Sequence, residues 1–122
     1  MQTDAVLTDA AEYMKPLSFD SGDYIFEEGD PGDAFYILSE GLVTVSKDKN
    51  GTEDIIATLR TGDYFGEGAI LNSLDGEDQP RNASIKCISA TCTVLKMTKA
   101  DFKKTNLVDK VRFLCKKLSF KN

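Results

Sequence analysis

The chain has 122 residues, 41% hydrophobic and 29% charged, with a formal net charge of −5, which bounds a single globular domain with one modest core. The acidic balance excludes a polyanion reader, so no nucleic-acid partner is expected. Histidine is absent and Cys87, Cys92 and Cys115 form no CxxC pair, which removes Ser-His-Asp and Cys-His catalysis and imidazole metal sites, and leaves buried reduced thiols as the plain reading.

In chain order, Ala5, Leu7, Ala10, Ala11 and Met14 keep a loose helical spacing that stops at Lys15-Pro16, so an N-terminal helix is expected over 1–15. Short strands and turns follow to Thr98. Tyr24-Ile25-Phe26 runs into the dense turn signal Glu27 to Asp33. Strands are predicted over Ala34–Leu38 and Leu42–Ser46, broken by Gly41. Asn50-Gly51 suits a primed hairpin turn leading into Ile55–Leu59, and Thr61-Gly62-Asp63 makes the next turn. Glu67 to Leu71 is long enough for one helical turn. Ala83–Ile88 and Cys92–Met97 close the series as a hairpin.

Turn signals at this regular spacing indicate a sandwich or barrel rather than βαβ units. Near the end the period changes. Leu107, Val111, Leu114 and Leu118 stand at i, i+4, i+7 and i+11, one stripe of an amphipathic helix. The expected fold is mainly β: an eight-stranded β-barrel or jelly roll over 16–98, flanked by an N-terminal helix and by C-terminal helices over 99–122. No window is apolar enough to cross a membrane, and the polar start Met1-Gln2-Thr3-Asp4 is not a signal peptide, so a cytoplasmic location is expected.

Chemistry concentrates in Phe65 to Ile85. Gly62 and Gly66 allow tight turns beside Tyr64-Phe65. Glu67 can accept hydrogen bonds from hydroxyls, as carboxylates do with sugars, whereas it would repel an anion. Arg81 can place a two-pronged guanidinium on a phosphate. If the strand alternation starts at Arg81, then Arg81, Ala83, Ile85 and Cys87 share one face with the core. A charge there needs a partner, either a ligand phosphate or, on the plainer reading, Glu67 in a salt bridge.

Phe65-Gly66-Glu67-Gly68-Ala69-Ile70-Leu71 followed by Pro80-Arg81-Asn82-Ala83-Ser84-Ile85 resembles the phosphate-binding cassette of cyclic nucleotide-binding domains. Upstream, Glu28-Gly29-Asp30-Pro31-Gly32-Asp33-Ala34-Phe35-Tyr36-Ile37 and Glu40-Gly41 resemble the hairpin of the same family. The likeness spans roughly residues 15–118, and is nearest to regulatory regions of cAMP- and cGMP-dependent protein kinases. It implies that the cassette spans 65–85 and that Glu67 accepts the ribose 2′-hydroxyl. It also implies that Arg81 binds the exocyclic phosphate, and that the amides of Ala69 and Asn82 complete the phosphate shell. Gly66, Ile70 and Ala83 lie beside it, with Ile70 as an apolar hinge against the C-terminal helices.

The implied function is binding of cGMP or cAMP, with occupancy relayed to a kinase catalytic domain in cis or in trans. The chain itself would be a regulatory domain and not an enzyme, a fragment of a longer tandem-domain protein. A channel sensor, or a drifted domain for another nucleoside, are the alternatives. A cupin-like enzyme would need the histidines that are lacking, and a transcription sensor would need an appended helix-turn-helix. Two departures from the family pattern stand out. The loop Asn72 to Gln79 is longer and carries Asp75, Glu77 and Asp78. It lacks EF-hand spacing, so a solvated acidic loop and no metal are expected. Asn82 replaces the usual Ala of cAMP readers or Thr/Ser of cGMP readers. That leaves the choice of nucleotide open, with its amide able to bridge phosphate and the guanine 2-amino group.

Overall fold

The computed structural model describes residues 13–71 and 76–104. Within them the chain forms β1 (Lys15–Asp20), β2 (Tyr24–Phe26), β3 (Ala34–Glu40), β4 (Leu42–Lys49), β5 (Thr52–Arg60), β6 (Tyr64–Phe65), α1 (Glu67–Leu71), β7 (Ser84–Cys87), β8 (Thr91–Thr98) and α2 (Lys99–Lys104). The strands pair as two four-stranded antiparallel sheets, ordered β1-β8-β3-β6 and β2-β7-β4-β5. Among the described residues the sheets share no strand, so the expected barrel takes its jelly-roll form.

Several turns named by sequence carry the chain from one sheet to the other, and β7 and β8, expected as a hairpin, lie in different sheets and do not pair. Gly41 joins β3 of one sheet to β4 of the other at φ 96°. A Cβ there would lie 2.7 Å from Cys92 Cβ, Ser89 Oγ and the Thr91 carbonyl, so this corner has room for glycine only. Between β4 and β5, Asn50 and Gly51 adopt φ 57° and 85°, the primed turn that an Asn-Gly pair favours.

The core lies between the sheets. Ala34, Tyr36 and Leu38 of β3 meet Val43, Phe65, Ile85, Cys87, Cys92 and Val94. β3 is buried on its other face as well, where Phe35 meets Phe102 of α2 at 5.4 Å and Tyr64 at 5.8 Å between ring centroids;. Strict alternation therefore fails in β3 because helix α2 covers the outer face of this sheet. Thr98 Oγ1 accepts a hydrogen bond from the Asp101 amide at 3.3 Å, capping α2.

β1 begins at Lys15, at the end of the segment expected to be helical, and β6 is a further strand that the sequence reading did not single out. Residues 1–12 and the stripe Leu107, Val111, Leu114 and Leu118 lie outside the described residues. Among the described residues no helix is long and apolar enough to cross a membrane.

Candidate functional site

Arg81 organises this region, by a different local route from the one expected. β7 begins at Ser84, so Arg81 precedes the strand and its alternation. Residues 79–81 instead pair with the turn before β3. The Arg81 amide donates to the Asp30 carbonyl at 2.7 Å, the Gly29 amide to the Arg81 carbonyl at 2.9 Å, and the Gly32 amide to the Gln79 carbonyl at 2.8 Å. Pro31 and Pro80 complete this short bridge. Gly32 is required by closeness: a Cβ on it would collide with the Ala69 side chain and the Gln79 carbonyl. This pairing, rather than strand alternation, turns Arg81 inward.

The Arg81 side chain is only 4% exposed. Its Nη1 donates to the Gly66 carbonyl at 3.0 Å and its Nη2 to the Ala34 carbonyl at 2.8 Å. Nε is buried and has no partner. Among the described residues no ion pair joins Arg81 to Glu67 or to any other carboxylate, so the salt-bridge reading of these two residues does not describe this arrangement. The guanidinium carbon lies 4.1 Å from the Phe26 ring centroid and 5.8 Å from that of Tyr36. Burial lowers the proton affinity of Arg81, while Tyr36, Asp33 and Asp30 oppose that shift. Burial raises the pKa of Tyr36 above its usual value, against the lowering effect of Arg81.

A cavity of about 350 Å³ opens onto Arg81. Gly66, Glu67, Ala69, Arg81, Asn82 and Ala83 line it together with Phe26, Val45, Ile56 and Leu59. Glu67 opens α1, at the step where Gly66 adopts φ 82°. Asn82 is exposed at the cavity wall, while Ala69 and Ala83 are half-buried. Ile70 is fully buried and is not part of the lining, so six of the seven residues singled out by sequence meet at one cavity. The apolar wall was missed. Ile56 is 53% exposed on the edge strand β5, and the signal available for it was an apolar pair, Ile55-Ile56, on a strand with little other core character.

The acidic loop is not simply solvated. Lys99 Nζ meets Asp78 Oδ1 at 2.9 Å and the Gly76 carbonyl at 3.1 Å, which ties the described end of the loop to the start of α2. Among the described residues no group of three or more metal-ligating side chains gathers.

A buried cation, a carboxylate and apolar side chains that line one cavity suit a ligand that combines an anionic group, a hydroxyl-bearing part and a flat apolar part. The sequence model of the cyclic nucleotide-binding domain matches residues 16–105. The cAMP-dependent protein kinase regulatory subunit of Emericella nidulans is 37% identical over 94 residues, covering 77% of this chain and 21% of that protein. Human cGMP-dependent protein kinase 2 is 37% identical over 81 residues, covering 65% of this chain and 10% of that protein. This chain therefore spans about a fifth or less of these curated relatives. The co-crystal structure of the regulatory domain of Toxoplasma gondii PKA with cAMP superposes with a TM-score of 0.78 at 27% identity, covering 97% of this chain and 46% of that one.

Proposed function

This chain belongs to the cyclic nucleotide-binding domain family, and from that premise we propose that its cavity holds a cyclic purine nucleotide, cGMP or cAMP, whose occupancy regulates a protein kinase. Arg81 receives the exocyclic phosphate, Glu67 accepts the ribose 2′-hydroxyl, and the amides of Ala69 and Asn82 complete the phosphate shell. Phe26, Val45, Ile56 and Leu59 offer the apolar surface of the cavity to the base. The observation that carries this reading is the buried guanidinium that lines the cavity and, among the described residues, forms no ion pair with a carboxylate. An interior cation is costly without a counter-charge, and a phosphate supplies one.

The relay has a short physical path. Ala34 accepts from Arg81, while its neighbour Phe35 holds Phe102 of α2 on the opposite face of the same strand. A phosphate that draws the Arg81 fork shifts β3 at Ala34 and so biases the seating of α2. Asn82, exposed at the cavity wall, carries an amide that can bridge phosphate and the guanine 2-amino group, which favours cGMP.

Calorimetric titration with cAMP and cGMP, against 5′-AMP as the non-cyclic control, tests the reading. Arg81→Ala should cost about 2–5 kcal/mol of cyclic-nucleotide affinity, since it leaves a buried anion unpaired. Affinity within threefold of wild type would remove Arg81 from the site. Asn82→Ala should lower cGMP affinity by about 0.5–1.5 kcal/mol and leave cAMP unchanged. An equal response to both ligands would place base selection elsewhere.

A further inference from the structure

Among the described residues, Arg81 is the one charged side chain that is buried. Interior charges are ordinarily balanced by an opposite charge. Here Asp33 and Asp30 act on the charge without forming an ion pair, and the surface beneath the guanidinium is aromatic. The Phe26 ring lies 4.1 Å beneath the guanidinium carbon, inside the range over which a ring face attracts a cation.

Phe26 is itself held in place. It packs against Tyr36 at 5.7 Å and Phe65 at 6.0 Å, while Tyr36 and Phe65 stack at 5.2 Å and 8°. The register of β2 on β7 shifts between Tyr24 and Phe26. Phe26 lines the same cavity as Arg81.

The type of support matters chemically. A guanidinium has five N–H donors lying in its plane. Two go to the carbonyls of Gly66 and Ala34, and Nε remains buried without a partner. A carboxylate in place of the ring would take two of these donors in a bidentate pair and compete with an incoming anion. A ring face offsets the charge through its π electrons and takes no donor into a bidentate pair.

We propose that Phe26 is a positioning residue for anion binding, carrying the Arg81 guanidinium on its ring so that the in-plane donors stay available to the ligand phosphate. The inference rests on the cyclic nucleotide reading above. A purely structural Phe26 would also contribute to stability, but its replacement would not act on affinity through Arg81.

The test uses Phe26→Leu, which keeps an apolar side chain and removes the ring, and Phe26→Tyr, which keeps the ring. Each is made alone, and Phe26→Leu is also combined with Arg81→Met. By calorimetry with cAMP and cGMP, Phe26→Leu should weaken binding about 3- to 30-fold, with Phe26→Tyr within twofold of wild type. In the Arg81→Met background Phe26→Leu should add nothing further. Undiminished binding by Phe26→Leu, or a full loss that persists without Arg81, overturns the proposal. The same four-corner comparison in urea needs no ligand. There the two substitutions should deviate from additivity by threefold or more in the unfolding constant. If the wild type binds neither nucleotide, the nucleotide reading is what fails. The urea comparison then decides the ring's support of Arg81 alone, and additive effects there overturn it. It also decides where Arg81→Met binds too weakly to titrate.

Discussion

Two glycines two residues apart should respond in opposite directions to the same substitution. Gly66 adopts φ 82°, which costs an L-residue about 1–3 kcal/mol. A Cβ at Gly66 would also stand 3.0 Å from Arg81 Nη1, 3.2 Å from the Ala34 carbonyl oxygen and 3.3 Å from Tyr36 Cδ1. The last two belong to the buried strand β3 and have little freedom to retreat. The first belongs to the guanidinium, which would be pushed off the carbonyls that orient it. Backbone strain and crowding together give a loss of about 2–4 kcal/mol for Gly66→Ala. Gly68 sits inside α1, and a Cβ on it would meet nothing within 4 Å. Gly68→Ala should therefore stabilise the domain by roughly 0.5–1 kcal/mol through helix propensity. Urea unfolding of the wild type and both variants measures the three stabilities, and heat unfolding should shift by roughly 3–6 °C for each kcal/mol. Gly66→Ala should also bind cyclic nucleotide more weakly. Equal stabilities for the two variants, or a stable Gly66→Ala with wild-type affinity, would refute the argument that Gly66 sets both the turn and the position of Arg81.

Glu67→Gln should weaken cyclic-nucleotide binding by about 1.5–3 kcal/mol, and a 2′-deoxy cyclic nucleotide should bind the wild type poorly by a similar amount. The two losses should not add in calorimetry, because they remove one contact; additive losses would assign Glu67 another role. Burial, followed by the neighbouring Cys87 thiol and Asp23, pushes the Cys92 thiol from its usual 9.0 up to about 12. The folded state thus holds this proton more tightly, so its contribution is complete below pH 9 and is lost as pH rises from about 9 toward 12. Over that window the wild type should lose stability more steeply than Cys92→Ala, by at most about 1.4 kcal/mol per pH unit; parallel slopes in urea unfolding would contradict the shift.

Much of this domain could be read along the chain. Asn50-Gly51 and Gly41 specify backbone angles that few other residues adopt, so their turns announce themselves locally. The helical turn opened by Glu67 and the strands β3, β4 and β8 carry their own propensity and periodicity, and two ordered motifs carry the likeness to the family whose model matches residues 16–105. What the sequence could not supply were relations between distant segments. Arg81 points inward because residues 79–81 pair with Gly29–Gly32, some fifty positions away in the chain, and not because of the strand that follows it. Tertiary contact likewise decided that β3 is buried on both faces, since its outer side faces Phe102 of α2. It also put Phe26 beneath the guanidinium and brought Lys99 to the acidic loop at Asp78. Local sequence sets backbone angles and side-chain periodicity, whereas the partner of a buried charge depends on which surfaces the two sheets bring together.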